Sequence, residues 1–410
     1  MEYGLVGKSI SHSFSAQIHP KLFDCDYSLC ELSENELDLF FKNRDFKGIN
    51  VTIPYKTEVI KYLDFVDESA RKIGAVNTVV NKDGKLYGYN TDYSGLKMLI
   101  SLNNVLLKGK NVLIFGNGGT SKTARAVAEE AGASEIVLVS RRKTEFNDVY
   151  ENISDYYDFA EIIINTTPCG MYPNIYDCAA SLDGFKRLQA VFDVVYNPLR
   201  TKLVIDAKNK GIISDGGTKM LVFQAVFAAR LFSGLQIPDQ AGFDIIDRLT
   251  REKENIVLIG MPASGKTTAG KILSKKLGRD FVDTDSEIEK KHNMSPKDII
   301  NSLGEEVFRD YETDVIREIS ARQGIVIATG GGAVERQINI DLLKENGKIV
   351  FLDRPLSFLS SDSGRPLSST KEKLAELYKR RLPLYEKYAD LKVRGSEDQL
   401  QTANSIEEVI

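Results

Sequence analysis

Short apolar runs rich in β-branched residues recur along this chain, separated by segments of amphipathic pattern. They fall at 112–115, 136–139, 162–164, 191–194, 256–259, 325–328 and 349–352. This rhythm predicts strands alternating with helices, and hence parallel α/β units. At 250–255 the pattern turns polar with alternating charge, just before a new strand opens, which places the main boundary there. Residues 1–105 are read as one α/β lobe and 106–212 as a second. The stretch 213–248 completes the first lobe, with 216–242 reading as helix. A linker is expected at 249–254 and a separate parallel-sheet domain at 255–410. The stretch 360–369 is rich in serine, a composition that suits a loop.

Composition narrows the function. A chain of 410 residues is long enough for two or three cores. It carries 27% charged residues but a net charge of only -4, which gives no broad basic surface for nucleic acid or for an anionic membrane. Small-molecule substrates are therefore expected. No apolar run approaches the ~18 residues of a membrane span, and the first residues lack a signal-peptide pattern, so a cytoplasmic setting is expected. Cys25, Cys30, Cys169 and Cys178 show no C-x-x-C spacing and are read as free thiols. His12, His19 and His292 have no metal-ligand spacing, and the first two are read as packing residues.

Two glycine-rich turns follow predicted strands. The second contains Gly260, Gly265, Lys266 and Thr267 in the pattern G-x-x-x-x-G-K-[ST], followed by Thr268, a further candidate for nucleotide binding, in the helix that comes after it. In a P-loop the backbone N–H groups curl around the phosphates of ATP, the lysine reaches the β and γ oxygens, and the hydroxyl of Thr267 holds Mg²⁺. The first turn carries Gly116, Gly118 and Gly119, and it has Ser121 where a P-loop needs its second glycine. It fits a dinucleotide-binding corner of the Rossmann type, although a structural glycine turn alone would look similar. The next strand ends in Ser140, Arg141 and Arg142, where NAD enzymes place an acid. Cations there favour a 2′-phosphate, hence NADP.

In the first lobe, strand alternation is expected to put Asn50 and Thr52 on one face, with Pro54 ending the strand before Lys56. Asn77 and the run Asn90, Thr91 and Asp92 form further polar clusters. A lysine paired with an aspartate can move the proton that accompanies hydride transfer to a ketone. In the second half, Asp283 and Asp285 are expected to leave a strand end on one side. Arg309 and Glu312 are three apart on a helix, Gly330, Gly331 and Gly332 follow a strand, and Arg365 and Arg381 lie further on.

Taken in order, His12-Ser13-Phe14-Ser15, the 50–56 run, Asn77-Thr78, Asn90-Thr91-Asp92, 165–171, 193–201 and Met220 to Gln224 resemble shikimate dehydrogenase over residues 1–248. The resemblance implies NADP-dependent reduction of 3-dehydroshikimate, with Lys56 and Asp92 as the catalytic pair. It implies that Ser13, Ser15, Asn50, Thr52, Asn77, Tyr196 and Gln224 hold the ring's carboxylate and hydroxyls. Gly217 joins the cofactor-binding set.

Over 255–395 the D-x-D, F-R-x-x-E, G-G-G, R-P-L and R-x-P-x-Y elements resemble shikimate kinase, within a P-loop fold like that of the nucleoside monophosphate kinases. The resemblance implies that ATP is used to phosphorylate shikimate. It gives Asp283 to Mg²⁺, Asp285 to the substrate hydroxyl, Lys266 to catalysis, Arg309, Arg381 and the three glycines to shikimate, and Arg365 to a lid over ATP. A kinase of the nucleoside or gluconate type remains the rival for this half, but its arginines favour an acid substrate.

Overall fold

The computed structural model describes residues 1–10, 13–145, 147–359 and 370–410. The chain divides into two compact units, Met1–Leu249 and Thr250–Ile410.

The first unit holds two six-stranded sheets. One contains β1 (Tyr3–Gly7), β2 (Tyr27–Glu31), β3 (Gly48–Val51), β4 (Phe65–Val66), β5 (Thr78–Lys82) and β6 (Lys85–Tyr89), in the order β2-β1-β3-β5-β6-β4. It is mixed, because β5 pairs antiparallel with both β3 and β6. Asp83 and Gly84 join β5 to β6 with φ of 52° and 80°. Two residues with positive φ match the twist of a tight hairpin, so the Asp-Gly pair forces the reversal.

The second sheet is wholly parallel. It contains β7 (Asn111–Phe115), β8 (Glu135–Ser140), β9 (Asp148–Val149), β10 (Ile162–Asn165), β11 (Ala190–Asp193) and β12 (Ile213–Asp215), in the order β12-β11-β10-β7-β8-β9. Its strand order reverses at β7, the position where doubly wound sheets open a crevice for ligands. Both faces are covered, so the β7 and β10 side chains are buried almost throughout.

The helix Thr91–Leu102 packs lengthwise on the helix Thr218–Ser233, and Gly95 allows the close approach: a β-carbon there would lie 2.6 Å from the Met220 carbonyl oxygen. The single helix expected at 216–242 is two helices. Gly234 closes the first with φ 70°, Pro238 follows, and Asp239–Lys253 forms the second. The expected linker at 249–254 is also different. That helix runs through Lys253, because its polar residues alternate with Ile245 and Leu249, which are buried on one face.

The second unit is a parallel five-stranded sheet: β13 (Asn255–Ile259), β14 (Phe281–Asp283), β15 (Val326–Ala328), β16 (Gly347–Asp353) and β17 (Leu391–Arg394), in the order β14-β15-β13-β16-β17. Here β13, the strand that feeds the P-loop, stands at the reversal.

Candidate active sites

In the first unit, Lys56 and Asp92 meet although 36 positions separate them: the ammonium Nζ lies 2.6 Å from Asp92 Oδ2, and both side chains are about nine-tenths buried. Their neighbours fix them. Tyr55 is fully buried and its hydroxyl donates to the Leu32 carbonyl at 2.6 Å. Asp92 lies in the first turn of Thr91–Leu102, and that helix start is held from two sides. The Asn90 side chain caps it by accepting from the Tyr93 N–H, and Asn77 Oδ1 accepts from the Thr91 N–H at 2.7 Å. Such caps typically stabilise a helix end by ~1 kcal/mol.

The glycine turn after β7 abuts this pair, for a β-carbon on Gly119 would lie 3.6 Å from the Lys56 side chain. Gly116 makes the turn at φ 113°. The helix Gly119–Glu130 begins without a side-chain cap, and a β-carbon on Gly118 would meet nothing within 4 Å. That leaves free N–H groups facing open space at a positive helix end, which fits a pyrophosphate. At the end of β8, Ser140 is buried while Arg141 and Arg142 are exposed. The Asn147 amide donates to both Ser140 Oγ and the Arg142 carbonyl, bracing the turn that presents the two cations.

The other expected residues divide. Ser13 donates to Ser15 Oγ at 3.1 Å and is hydrogen-bonded to Tyr196, whose ring also packs on Phe14 at 5.3 Å. Burial pushes the Tyr196 hydroxyl above its ordinary range, so it stays a neutral donor. Gln224 is buried against the Gly95 turn of the Asp92 helix. Asn50 belongs to an internal network instead: its Oδ1 accepts from the Tyr27 hydroxyl at 2.7 Å, and its amide donates to the Asn77 carbonyl and to Thr78. The strand expected to carry Thr52 stops at Val51, so Thr52 lies in the turn that follows. Gly217 is packed on the Val194 carbonyl, where a β-carbon would lie 2.1 Å away.

One hub escaped the sequence reading. Asp193, fully buried at the end of β11, accepts from the Asn165 amide, the Val195 N–H and the Thr201 hydroxyl. It ties the loop carrying Tyr196 to the end of β10. Burial pushes its carboxyl up to about 6 against these hydrogen bonds. His19 is fully buried against Tyr27, as a packing residue should be. His12 lies outside the described residues.

In the second unit a cavity of about 440 Å³ is lined by the P-loop, Asp283, Asp285, Arg309, Glu312, Gly330, Gly331, Gly332 and Arg381. Gly265 takes φ 97°, which opens the loop before the helix Lys266–Leu277. Lys266 is buried, with Nζ donating to the carbonyls of Gly260 and Met261 at 2.9 Å each. The Thr267 hydroxyl donates to Asp283 Oδ2 at 2.7 Å. Hydroxyl and carboxylate oxygens side by side beside a phosphate loop are hard donors that fit Mg²⁺. Thr268 also lines the cavity.

The two aspartates do not share a strand face. Asp283 ends β14 as the cap of the helix Thr284–His292, its Oδ1 accepting from the N–H groups of Asp285 and Ser286, so Asp285 lies in the first helical turn. Both still border the cavity because the cap turns the chain toward it.

Arg309 and Glu312 are buried, not an exposed pair, with Arg309 Nη1 donating to Glu312 Oε2 at 2.8 Å. Burial raises the Glu312 carboxyl in spite of that partner. A β-carbon on Gly330 would lie 2.7 Å from Asp285 Oδ1 and 2.8 Å from Glu312 Oε1, and one on Gly332 would lie 2.2 Å from the Arg309 guanidinium. The glycines make room for these side chains. Arg381 is 2% exposed and shares the carboxylate of Glu335 with Arg309, a contact the sequence reading missed. Arg365 lies outside the described residues. Among the described residues no cluster of histidine, cysteine and acids suits a metal ion held by protein alone, the four cysteines are free, and no helix is long and apolar enough to cross a membrane.

Residues 5–79 match the family model of the shikimate dehydrogenase substrate binding domain, and residues 262–410 match that of shikimate kinase. Shikimate dehydrogenase (NADP(+)) of Clostridium perfringens is 39% identical over 264 residues, which is 60% of this chain and 97% of the relative. The crystal structure of shikimate dehydrogenase 1 from Peptoclostridium difficile is 33% identical with a TM-score of 0.56, covering 61% of this chain and 98% of that one. The Thermus thermophilus shikimate 5-dehydrogenase structure, in complex with NADP(H) and shikimate, is 27% identical with a TM-score of 0.55 over 60% of this chain and 99% of that one.

Proposed function

The chain belongs to the shikimate dehydrogenase family and continues into a shikimate kinase domain, which makes it a bifunctional shikimate-pathway enzyme using NADP(H), ATP and Mg²⁺, and from that premise we propose which of its residues act. The substrates are 3-dehydroshikimate for the first unit and shikimate for the second. The observation that carries the assignment is that each unit sets a nucleotide turn directly against a buried charged group: Gly119 against Lys56, and the P-loop around Lys266.

NADPH, when bound, supplies hydride to the ketone carbon. Lys56 donates the accompanying proton to the carbonyl oxygen, and Asp92, 2.6 Å away, holds the ammonium in place and shares the proton. Proton transfer of this kind contributes on the order of 10²- to 10⁴-fold. Ser13, Ser15 and Tyr196 form a hydroxyl cluster suited to the substrate carboxylate, with Asn77 and Gln224 beside the ring. Asn50 supports Asn77 from behind. Arg141 and Arg142 meet the 2′-phosphate of NADP.

In the kinase, Mg²⁺ neutralises phosphate charge when bound, with Thr267 and Asp283 as its protein anchors. Lys266 leaves the loop carbonyls for the β and γ oxygens. Asp285 accepts the proton of the attacking hydroxyl, while Arg309 and Arg381 take the carboxylate. We place the enzyme in the cytoplasm, where NADPH and ATP are made.

The test is a coupled assay with 3-dehydroshikimate, NADPH and ATP. Lys56→Ala should remove most NADPH oxidation and leave phosphorylation of added shikimate near the parent rate. Lys266→Ala should do the reverse. Loss of both activities in either variant would contradict separate sites.

A further inference from the structure

The three-residue helical turn Ala333–Glu335, directly after the three glycines, returns Glu335 to the carboxylate-binding arginines. One oxygen, Oε2, accepts from Arg381 Nη2 at 2.8 Å and from Arg309 Nη2 at 3.3 Å. The other, Oε1, lies 2.6 Å from Arg380, whose side chain is 59% exposed. Arg309 also pairs with Glu305 and Glu312. Three arginines thus face three glutamates around this clasp. Burial alone would push the Glu335 carboxyl up, but Arg381, Arg309 and Arg380 hold it below the ordinary glutamate range.

We propose that Glu335 is a resident carboxylate that occupies the bridging position between Arg309 and Arg381 which a substrate carboxylate needs, and that it yields this position by swinging toward Arg380. The inference rests on the reading of Arg309 and Arg381 as the carboxylate clasp. The geometry supports exchange, not simple bracing. A single oxygen spans both guanidinium groups, as a substrate oxygen would, and the alternative partner is already at ion-pair distance on the solvent side. Glu335 is then a specificity residue that makes the kinase bind its acid substrate less tightly than the bare arginines would. It also keeps two adjacent buried cations compensated, which would otherwise be costly.

The experiment measures initial rates of ATP-dependent phosphorylation by the full-length chain without NADP, so that only the kinase reports. The probes are shikimate and its uncharged methyl ester. Glu335→Gln keeps the shape and removes the charge. It should lower KM for shikimate roughly three- to tenfold, as expected for one partly exposed ion-pair competitor, with kcat within about twofold and the ester unaffected. Arg380→Ala, which removes the outer seat, should raise KM for shikimate and leave the ester unchanged. A rise in KM for Glu335→Gln would show that the residue only braces the arginines, and an unchanged KM would show that it does not compete; either overturns the proposal. Failure of the underlying clasp reading looks different: the parent enzyme would then fail to distinguish shikimate from its ester, and Arg381→Ala would leave KM as it was.

Discussion

Asp193 shows at a single residue how folded geometry departs from what spacing reveals. Its carboxyl is pushed up to about 6 from an ordinary 3.8 by complete burial. The folded state therefore holds a proton that the unfolded chain releases, so Asp193 lowers stability progressively as pH rises from about 4 to about 6. Asp193→Asn keeps an oxygen for the Val195 N–H and cannot ionise. The unfolding free energy of the first unit measured between those pH values should fall less steeply in the variant, by a difference on the order of 2–3 kcal/mol across the range. Equal slopes would show that another group sets the dependence. Lys266 and Thr267 were legible because their motif is local, whereas Lys56 and Asp92, 36 positions apart, were named as a pair through the resemblance. Glu335 and Asp193 were not legible, since an acid gains its meaning from arginines and amides brought to it by distant elements. For Arg309 and Glu312 the three-residue spacing says which helix face they share but not that this face is buried.

At the scale of elements, the central parallel strands β7, β10 and β13 were readable because both faces are covered and each is a nearly continuous apolar run. The short, polar-interrupted β9, β12 and β17 were not, and β12 pairs with β11 in the second sheet although 213–248 was expected to complete the first lobe. The mixed first sheet was harder. Its direction changes at Asp83 and Gly84, a signal that was present in the sequence but is weaker than the apolar rhythm around it. The break at Gly234 was hidden by strong helical pattern on both sides. Helix pairing follows small residues, and Gly95 is the tightest case. Gly95→Ala would put a methyl 2.6 Å from the Met220 carbonyl oxygen. It should destabilise the first unit by about 1–3 kcal/mol through forced separation of the two helices. Dehydrogenase activity should then be lost at a lower temperature than in the parent, with the kinase unchanged, as parallel heat-inactivation curves would reveal.

For the whole molecule, the helix that begins at Asp239 runs past the boundary to Lys253, so the point of division matters. The carbonyls of Arg251 and Glu254 accept from Arg279, and that of Lys253 accepts from the Gly324 N–H at 2.9 Å. A kinase fragment beginning at Thr250 keeps these partners, and it should phosphorylate shikimate unaided. One beginning at Ile256 loses them along with the Asn255 side chain, which bonds the Arg322 carbonyl and the Ile325 N–H. Five hydrogen bonds are lost, and at ~1 kcal/mol each its thermal midpoint should drop by roughly 10–20 °C. Equal midpoints would show that the segment adds nothing to the kinase. The order β14-β15-β13-β16-β17 has a consequence in time as well. The P-loop leaves the ribosome directly after β13, yet β13 is flanked by strands made later: Ile256 pairs with Val326 and Asn255 with Gly347, 70 and 92 positions downstream (326 − 256 and 347 − 255). Until those strands emerge, the complete motif hangs on an unpaired strand. A growing chain should gain the ability to hold ATP only after β16 has been synthesised, long after the dehydrogenase that precedes it has had the chance to fold.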